Sequence, residues 1–494
     1  MANGGIIGPV NIPTSTTATG VWQQEEQYEA RVTDTWPQRP LFTTKSLRFN
    51  DGSSDYLSRT PSSAGSTTTG TFSFWVKRGN ITQDTYIWTS YADGTNWSAI
   101  GINNVDQLYF YAESSGSAVA NLKTNRVFRD SSAWYHIVVA VDSTDGTADD
   151  RIKIYVNGVQ ETSFAQRTNP SSSADLGISE TVAMEIGRYG SGSAYFDGYF
   201  SEFIFVDGQA LAPTSFGVAN SDGVWTPIIY TGTFGTNGFN LQFENAAALG
   251  TDSSPNGNTF TVNNLTSIDQ STDYPEVNYA TINPLGSGAV TFSEGNLQVT
   301  KSGNGFLNAI ANIGASSGKF YAEAKAISIG SVTYGSYIGF VNLDVSNKQN
   351  TADNIGETPA DSAGISSGGG YIYYNGQQFT GATTATTNND IVNLAMDLDN
   401  GRLYWGINGT YVNSGNPASG ATGTGGMPIA NITAGGTYTF GVSLRNDANY
   451  SWNFGSPAFA ISSGNADANG YGNFEYAPPS GYYALNTANL AEFG

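Results

Sequence analysis

The stretch AWYHIVVAVDSTDGTADDRIKIYVNGVQETSF, residues 133–164, contains two short runs in which apolar side chains recur at every second position. A period of two is typical of β-strands, so the stretch predicts two antiparallel strands joined by an Asp-rich connection. Asn157-Gly158 follows the second run and favours a type I′ hairpin turn, because both central residues of that turn need a positive φ. The positions expected to face the core are Tyr135, Ile137, Val139, Val141, Ile152, Ile154 and Val156. The side chains between these positions, beginning with His136, are expected to form a solvent-exposed face.

The composition favours an all-β protein. Among 494 residues there are 60 glycines, 13% aromatic residues and only 12% charged residues. Aromatic and β-branched side chains suit pleated surfaces, and glycine suits the turns between strands. At ~150 residues per domain, the length predicts roughly three domains, or two large β domains.

The charge and the cysteine count exclude several classes of function. The net charge of −21 lacks the basic surface that nucleic acids or anionic membranes need, so no nucleic-acid partner is expected. There is no cysteine, which excludes disulfides and Cys-ligated zinc and favours a protein completed in a reducing cytoplasm. Neither a signal peptide nor an apolar run of ~18 residues is visible, so membrane insertion is not expected.

Residues 1–41 differ from the rest of the chain. An extended lead precedes VWQQEEQYEARVT, residues 21–33, which is the only good helix candidate. So short a helix is unstable alone and must dock, either on its own chain or on a partner. The pattern GIIGPVN…ATGVWQQEEQYEAR…TWP resembles the N-terminal segment of virion proteins of tailed phages, especially marine ones. The resemblance implies an arm that anchors the chain to other virion proteins through Val21, Trp22, Tyr28 and Trp36.

Residues 42–270 are predicted to form a first β-sandwich. SLRFNDGSSDYLSRTPS (46–62), WYHI (134–137) and YVNG (155–158) resemble the signature of laminin-G-like, concanavalin-A-like jelly rolls. The closing run 241–269 resembles that of phage versions of this domain. Asp207-Gly208 is read as a further hairpin signal.

A second β-sandwich is predicted at residues 286–494, after an aperiodic linker at 271–285. KFYAEAK (319–325), SYIGFVN (336–342) and DLDNGRLYWGING (397–409) resemble, in this order, the motifs of a SPRY domain. The predicted fold is therefore all-β, with two antiparallel jelly-roll sandwiches in tandem behind a short N-terminal arm and helix.

No catalytic constellation is apparent, so the protein is predicted not to be an enzyme. Glu202 and Glu323 each stand alone on a strand, whereas jelly-roll glycoside hydrolases place two carboxylates on one strand face. The single histidine, His136, lies within a strand typical of the resembled family. No catalytic residue is predicted.

The Asp-rich connection within the stretch 133–164, residues 142–150, is the one candidate metal site. Four carboxylates in nine residues could supply the several oxygen ligands that calcium prefers. The alternative is a solvated acidic loop, and no other cofactor is expected. The four residues are Asp142, Asp145, Asp149 and Asp150.

Aromatic residues in loop-rich segments are the candidate ligand-binding residues. Sugar binding needs exposed rings beside hydrogen-bonding groups, and three segments have that character. The alternative for each residue is a place in the core. The candidates are Tyr91, Trp97, Tyr189 and Tyr195 in the first domain and Tyr371 and Tyr373 in the second.

The resemblances favour a phage virion protein, assembled in the host cytoplasm. It would be a tail fibre or peripheral appendage that displays both sandwiches toward host-surface glycan or protein. Such fibres are commonly homotrimers, which strengthens binding by weak sites, although no heptads are visible here. A capsid decoration or connector without a receptor is the alternative. Two further alternatives are a polysaccharide-degrading enzyme and a bacterial adhesin. The absence of a carboxylate pair argues against the first, and the absence of a secretion signal argues against the second.

Overall fold

The computed structural model describes most of the chain and, within it, two packed β-sandwiches. Residues Thr43–Gly494 belong to one compact unit. The arm, with the predicted helix 21–33 and the proposed anchoring residues Val21, Trp22, Tyr28 and Trp36, lies outside the described residues. Those are 44–285, 289–330, 335–345, 354–357, 361–379, 385–432 and 435–494.

The first sandwich consists of two large antiparallel sheets and one small hairpin. One large sheet has the order β10-β9-β8-β3-β13-β1-β18, with β16 also paired to β13, and the other has the order β11-β7-β6-β5-β4-β12-β2-β17. The strands are β1 (Ser46–Phe49), β2 (Tyr56–Arg59), β3 (Thr69–Arg78), β4 (Thr85–Asp93), β5 (Asn96–Ile102), β6 (Gln107–Ser114), β7 (Ser117–Val127), β8 (Tyr135–Asp142), β9 (Ile152–Val156), β10 (Val159–Gln160), β11 (Phe164–Thr168), β12 (Ala183–Ile186), β13 (Gly198–Asp207), β14 (Gly217–Ala219), β15 (Trp225–Pro227), β16 (Phe239–Leu241), β17 (Thr261–Asn263) and β18 (Gln270–Ser271).

The stretch 133–164 forms the predicted strands. β8 pairs with β9 in antiparallel register, and their predicted inward side chains pack in or against the core of the first sandwich. Asn157 and Gly158 have φ values of 48° and 80°, so the predicted type I′ turn joins β9 to β10. The alternation therefore identified both the strands and their core face.

The opposite face of β8 is buried, so the prediction that it is solvent-exposed is wrong. His136 and Val138 are both buried, at 1% and 0% exposure. A second layer, formed by the segment between β13 and β16, covers this face with Phe216 and Phe234. Asp207-Gly208 begins this layer rather than a hairpin, since β13 pairs with β1, β3 and β16. No local periodicity reports this cover, because it comes from a segment distant in sequence.

The second sandwich also has two antiparallel sheets. Their orders are β19-β20-β32-β22-β27-β28-β29, with β30 beside β28 and β33 parallel to β22, and β21-β31-β23-β24-β25-β26. The strands are β19 (Thr291–Ser293), β20 (Gln298–Lys301), β21 (Leu307–Ile310), β22 (Lys319–Ser328), β23 (Tyr337–Asn342), β24 (Ser362–Ser366), β25 (Ile372–Tyr374), β26 (Gln377–Phe379), β27 (Ile391–Asp397), β28 (Arg402–Ile407), β29 (Thr410–Tyr411), β30 (Met427–Pro428), β31 (Tyr438–Leu444), β32 (Ala448–Asn453) and β33 (Tyr483–Ala484).

Helices are few in the described part of the chain, and the predicted all-β class is confirmed. The α-helix α1 (Thr487–Phe493) was not predicted; it begins where the side chain of Asn486 accepts a hydrogen bond from the Asn489 amide. The remaining helical turns are 3-10 turns at Asp51–Ser53, Ala148–Asp150, Pro213–Ser215, Ser267–Asp269, Val412–Ser414, Pro417–Thr422 and Ile429–Asn431.

The two sandwiches meet through buried polar contacts. Arg48 on β1, 1% exposed, forms ion pairs with Asp269 at 3.1 Å and with Glu294 of the second sandwich at 2.9 Å. The Ser271 and Ser456 hydroxyls lie 2.6 Å apart. Several side chains of the predicted linker are buried, at the junction or in the second sandwich, although the domain boundaries themselves stay predictions. These are Ser271, Asp273, Tyr274, Val277, Tyr279, Ala280, Thr281 and Ile282.

Candidate functional site

A group of aromatic rings lies on the side of the β4–β7 sheet that points away from the core. Tyr91 is directly opposite Trp97 in the β4–β5 register. The ring centre of Tyr189, from the loop after β12, lies 5.4 Å from that of Tyr91, 5.1 Å from that of Trp97 and 4.8 Å from that of Tyr86. The ring of Tyr111 lies 4.7 Å from that of Trp97. This group, called the aromatic face, consists of Tyr86, Tyr91, Trp97, Tyr109, Tyr111 and Tyr189.

A glycine allows the loop of Tyr189 to reach the aromatic face. A Cβ atom on Gly190 would lie 2.2 Å from the Cβ atom of Tyr91, so only glycine fits at this close approach. The loop closes on itself through the Tyr189 amide, which donates to the Ser193 carbonyl at 2.9 Å. Tyr189 is thereby held against two strands of the sheet.

Polar groups border the aromatic face. The Tyr111 hydroxyl donates to Glu113 Oε2 at 2.6 Å. Asn121 is opposite Tyr111 in the register, and its buried Oδ1 has no hydrogen-bond partner. Lys123 is opposite Tyr109 on the same face. Rings beside a few donors and acceptors are the usual composition of a small-ligand site.

Burial shifts the pKa of two phenols on this face. It raises the pKa of Tyr111 to about 12, with a further contribution from the Glu113 carboxylate, and it raises the pKa of Tyr189 to about 12. A small cavity of about 80 Å³ adjoins Trp97 and Glu113, and burial raises the pKa of Glu180 at its edge.

A second row of rings lies on the second sandwich. The ring of Tyr373 is 6.4 Å from that of Tyr371 and 5.7 Å from that of Tyr337. Tyr337 in turn lies 5.7 Å from Phe306, whose ring is covered by the Arg445 guanidinium at 4.9 Å. All four rings are half-buried.

The structure brings together part of the predicted ligand-binding set. Tyr91, Trp97 and Tyr189 share the aromatic face, whereas Tyr195 packs beside Tyr56, with ring centres 6.3 Å apart. Tyr86, Tyr109 and Tyr111 were not among the predicted ligand-binding residues. The alternation in QLYFYAES, which places Tyr109 and Tyr111 opposite the core residue Phe110, could have indicated the latter two. The ligand-binding role of all these residues stays a prediction.

The four aspartates of the candidate calcium loop make separate local contacts. Asp142 and Asp145 each accept a backbone amide two residues ahead, from Thr144 at 3.0 Å and Thr147 at 2.8 Å. Asp149 pairs with Arg167 and Asp150 with Lys153. Within the described ranges, no three acidic or histidine side chains are grouped so as to hold a metal ion. Calcium binding stays a prediction, to be tested by calorimetry with Asp145→Ala and Asp149→Ala.

His136 is enclosed between two tryptophans and a serine. Its Nδ1 accepts a hydrogen bond from Trp225 Nε1 at 2.9 Å, so its Nε2 carries the hydrogen that is donated to Ser73 Oγ, also at 2.9 Å. The ring also stacks on Trp75. In this tautomer the imidazole has no free nitrogen to accept the Ser73 proton, so the pair is not arranged as a nucleophile and its base.

Both isolated strand carboxylates have structural partners. Glu323, fully buried, accepts the Tyr321 hydroxyl at 3.0 Å and the Tyr476 amide at 2.8 Å. Glu202 accepts Gln242 Nε2 at 3.1 Å, at the bulge where β13 changes its register against β3.

The comparisons with known proteins match parts of the chain. Residues 51–215 match the family model described as the concanavalin A-like lectin/glucanases superfamily. No curated protein matches the sequence. Among the described residues, no helix is long and apolar enough to span a membrane.

Several solved structures are similar to parts of the chain. The SPRY domain of human HERC1 has 16% identity, covers 35% of this chain and 96% of its own, and gives a TM-score of 0.28. The SAP-like pentraxin of Limulus polyphemus has 17% identity, with 35% and 80% coverage and a TM-score of 0.26. Domain 4 of AbnA, a GH43 extracellular arabinanase from Geobacillus stearothermophilus solved with arabinotriose, has 20% identity, with 30% and 65% coverage and a TM-score of 0.22.

Proposed function

We propose that this protein is a carbohydrate-binding protein whose first sandwich binds glycan on the aromatic face. The observation that carries the proposal is the cluster of rings around Trp97 and Tyr189 on the outward side of a sheet, of which all but the buried Tyr109 are half-buried. Sugar rings present C–H groups that pack on aromatic faces, and their hydroxyls need an acceptor and a donor such as those of the half-buried Glu113 and Lys123. The match of residues 51–215 to a lectin and glucanase superfamily supports the same class of ligand.

Within this proposal the protein binds glycan without cleaving it. The carboxylates Glu202 and Glu323 are engaged in structural hydrogen bonds, and His136 is held between Trp225 and Ser73. A phage virion appendage is the proposed setting, with the arm 1–41 attached to other virion proteins and the chain assembled as a homotrimer. That setting rests on the sequence resemblance of the arm and on the fold of the displayed domains.

The test is binding of the purified chain to a panel of bacterial surface polysaccharides and to intact host cells. We expect saturable binding that Trp97→Ala lowers without lowering the melting temperature. Tyr230→Ala is the matched control, because Tyr230 is also half-buried but packs on Phe216, away from the aromatic face. Equal loss of binding in both variants would contradict the proposed site. Absence of any binding by the folded chain would favour a decoration or connector role.

A further inference from the structure

A lysine is fully buried at the junction of the two sandwiches. Lys77, on β3 of the first sandwich, has no exposed surface. Its Nζ lies 2.7 Å from Asp273 Oδ2, 2.7 Å from Asn278 Oδ1 and 2.9 Å from the Tyr279 carbonyl oxygen. An amine, a carboxyl group and a carboxamide are therefore in direct contact, and the latter two belong to the segment that leads into the second sandwich.

Aromatic side chains enclose Lys77 and Asp273 and limit the access of water to them, whereas Asn278 is half-buried. Trp134 Nε1 donates to the second oxygen of Asp273 at 2.9 Å, and the Tyr199 ring centre lies 5.7 Å from Lys77 Nζ. Trp134 and Tyr199 are themselves buried, at 7% and 1% exposure. Burial raises the pKa of Asp273, although the contacts with Lys77 and Trp134 act in the opposite direction. A buried carboxylate of this kind is a suitable proton acceptor for a neighbouring ammonium.

The carboxamide of Asn278 is held with its oxygen toward the lysine. Its Nδ2 donates to the Ser132 carbonyl at 2.6 Å, which fixes the side chain while Oδ1 accepts from Lys77. Because the C=O bond measures ~1.2 Å, Nζ lies within ~3.9 Å of the Cγ carbon. Reacting atoms at ~3–3.5 Å are in a near-attack arrangement, so a displacement of a few tenths of an ångström would be enough.

We propose that Lys77 and Asn278 are a self-modification site, at which the chain forms an intramolecular amide bond between Lys77 Nζ and Asn278 Cγ with release of ammonia. Asp273 first accepts a proton from the Lys77 ammonium, leaving a neutral amine whose lone pair attacks Cγ. The Nζ–Cγ bond forms, and Asp273 returns its proton to Nδ2 as the Cγ–Nδ2 bond breaks. The departing ammonia then takes the second proton from Nζ, which leaves a neutral secondary amide and an ammonium ion. The net reaction converts one ammonium and one carboxamide into a secondary amide and an ammonium ion, with no oxidant or cofactor.

The bond would tie β3 of the first sandwich to the segment that enters the second. A covalent link between residues so distant in sequence limits the freedom of the unfolded chain, as a disulfide does, in a protein that has no cysteine. It would also remove the buried ammonium group, after which the Asp273 carboxylate keeps the hydrogen bond from Trp134 Nε1.

The test is mass spectrometry of the full-length chain. We expect the denatured protein to be lighter than its sequence mass by one ammonia, and a digest to contain a peptide with Lys77 joined to one with Asn278. An unmodified mass in the folded protein overturns the proposal and leaves a buried ion pair. Loss of one water, or a link from Lys77 to Asp273, also overturns it.

Two variants distinguish the proposed amide bond from other reactions that release ammonia. Lys77→Arg and Asp273→Asn should have the full sequence mass while remaining folded by circular dichroism, because one removes the nucleophile and the other the proton acceptor. Asparagine can also lose ammonia by forming a succinimide on its own backbone. That product contains no joined peptide and opens in mild alkali, so an ammonia loss without the Lys77–Asn278 peptide counts against the proposal.

Discussion

Trp225 Nε1 donates a hydrogen bond of 2.9 Å to Nδ1 of His136, although the two residues lie on different layers of the first sandwich. The contact covers the imidazole with the small β14–β15 hairpin and leaves it 1% exposed. Burial lowers the pKa of His136 to about 3. A neutral, enclosed histidine of this kind makes stability depend on pH, which gives the first prediction.

His136 is expected to make the protein less stable as the pH falls below about 6.5. Between its folded pKa of about 3 and the ordinary value of 6.5, the unfolded chain binds one proton more than the folded chain. Stability therefore rises with pH across that window, by up to about 5 kcal/mol for this group. Urea unfolding across the window should show a shallower pH slope for His136→Gln. Equal pH slopes in the two proteins would show that His136 does not cause the loss of stability at low pH.

Asp55 is expected to act in the opposite direction. Burial raises its pKa to about 6, so the folded chain binds more protons than the unfolded chain between its ordinary value of 3.8 and about 6. Its contribution to stability is therefore lost as the pH rises through that window. Asp55→Asn keeps an acceptor for the Asn50 amide, which donates at 3.0 Å, and removes the titration. Urea unfolding above about pH 6 should then show a more stable variant.

Gly190 is expected to be required for the aromatic face. An added methyl group at this position would collide with Tyr91 and move the loop that carries Tyr189. Gly190→Ala should therefore weaken glycan binding about tenfold, which corresponds to ~1.4 kcal/mol, by misplacing one ring. Gly146→Ala is the matched control, because nothing lies within 4 Å of its added carbon. Calorimetric titration of both variants with the bound polysaccharide measures the difference, and unchanged affinity in Gly190→Ala would contradict it.

The sequence predicted the strands of residues 133–164 and the turn between β9 and β10 because these depend on local chemistry. The inward positions Ile137 and Val139 follow from alternation alone. Asn157-Gly158, with φ values of 48° and 80°, forms the turn that its residue types favour. Such features need only the nearest residues along the chain.

Features that depend on distant segments could not be predicted. Trp225 covers His136, and Tyr189 packs on Trp97, through contacts between residues far apart in sequence. The contact between Lys77 and Asp273 is also long-range. The sequence pattern places Lys77 only on the non-core face of a strand and Asp273 only in an aperiodic linker. A side chain on the outward face of a strand can be exposed, covered by another layer or buried at a junction, and the strand pattern is the same in each case.

Among the acidic residues of the first sandwich, Asp106 is expected to be the one whose substitution lowers the free energy of unfolding most. It is fully buried, pairs with buried Arg78 at 2.7 Å and with Arg129 at 2.8 Å, and accepts the Thr82 amide at 2.7 Å. Asp106→Ala leaves the Arg78 guanidinium without its partner in the core, which typically costs about 3–5 kcal/mol. Asp106 also has a φ of 67°, a conformation that alanine adopts less readily than aspartate or asparagine.

Two further variants identify the source of that loss. Asp106→Asn keeps the backbone preference and one acceptor, so it should be less destabilising than Asp106→Ala but still weaken the Arg78 contact. Asp150→Ala removes a partly exposed pair with Lys153 and should cost about 0–1 kcal/mol. Guanidinium unfolding of the three variants gives the order. If Asp106→Ala is as mild as Asp150→Ala, Arg78 must find another partner or water, and its ion pair with Asp106 contributes little to the fold.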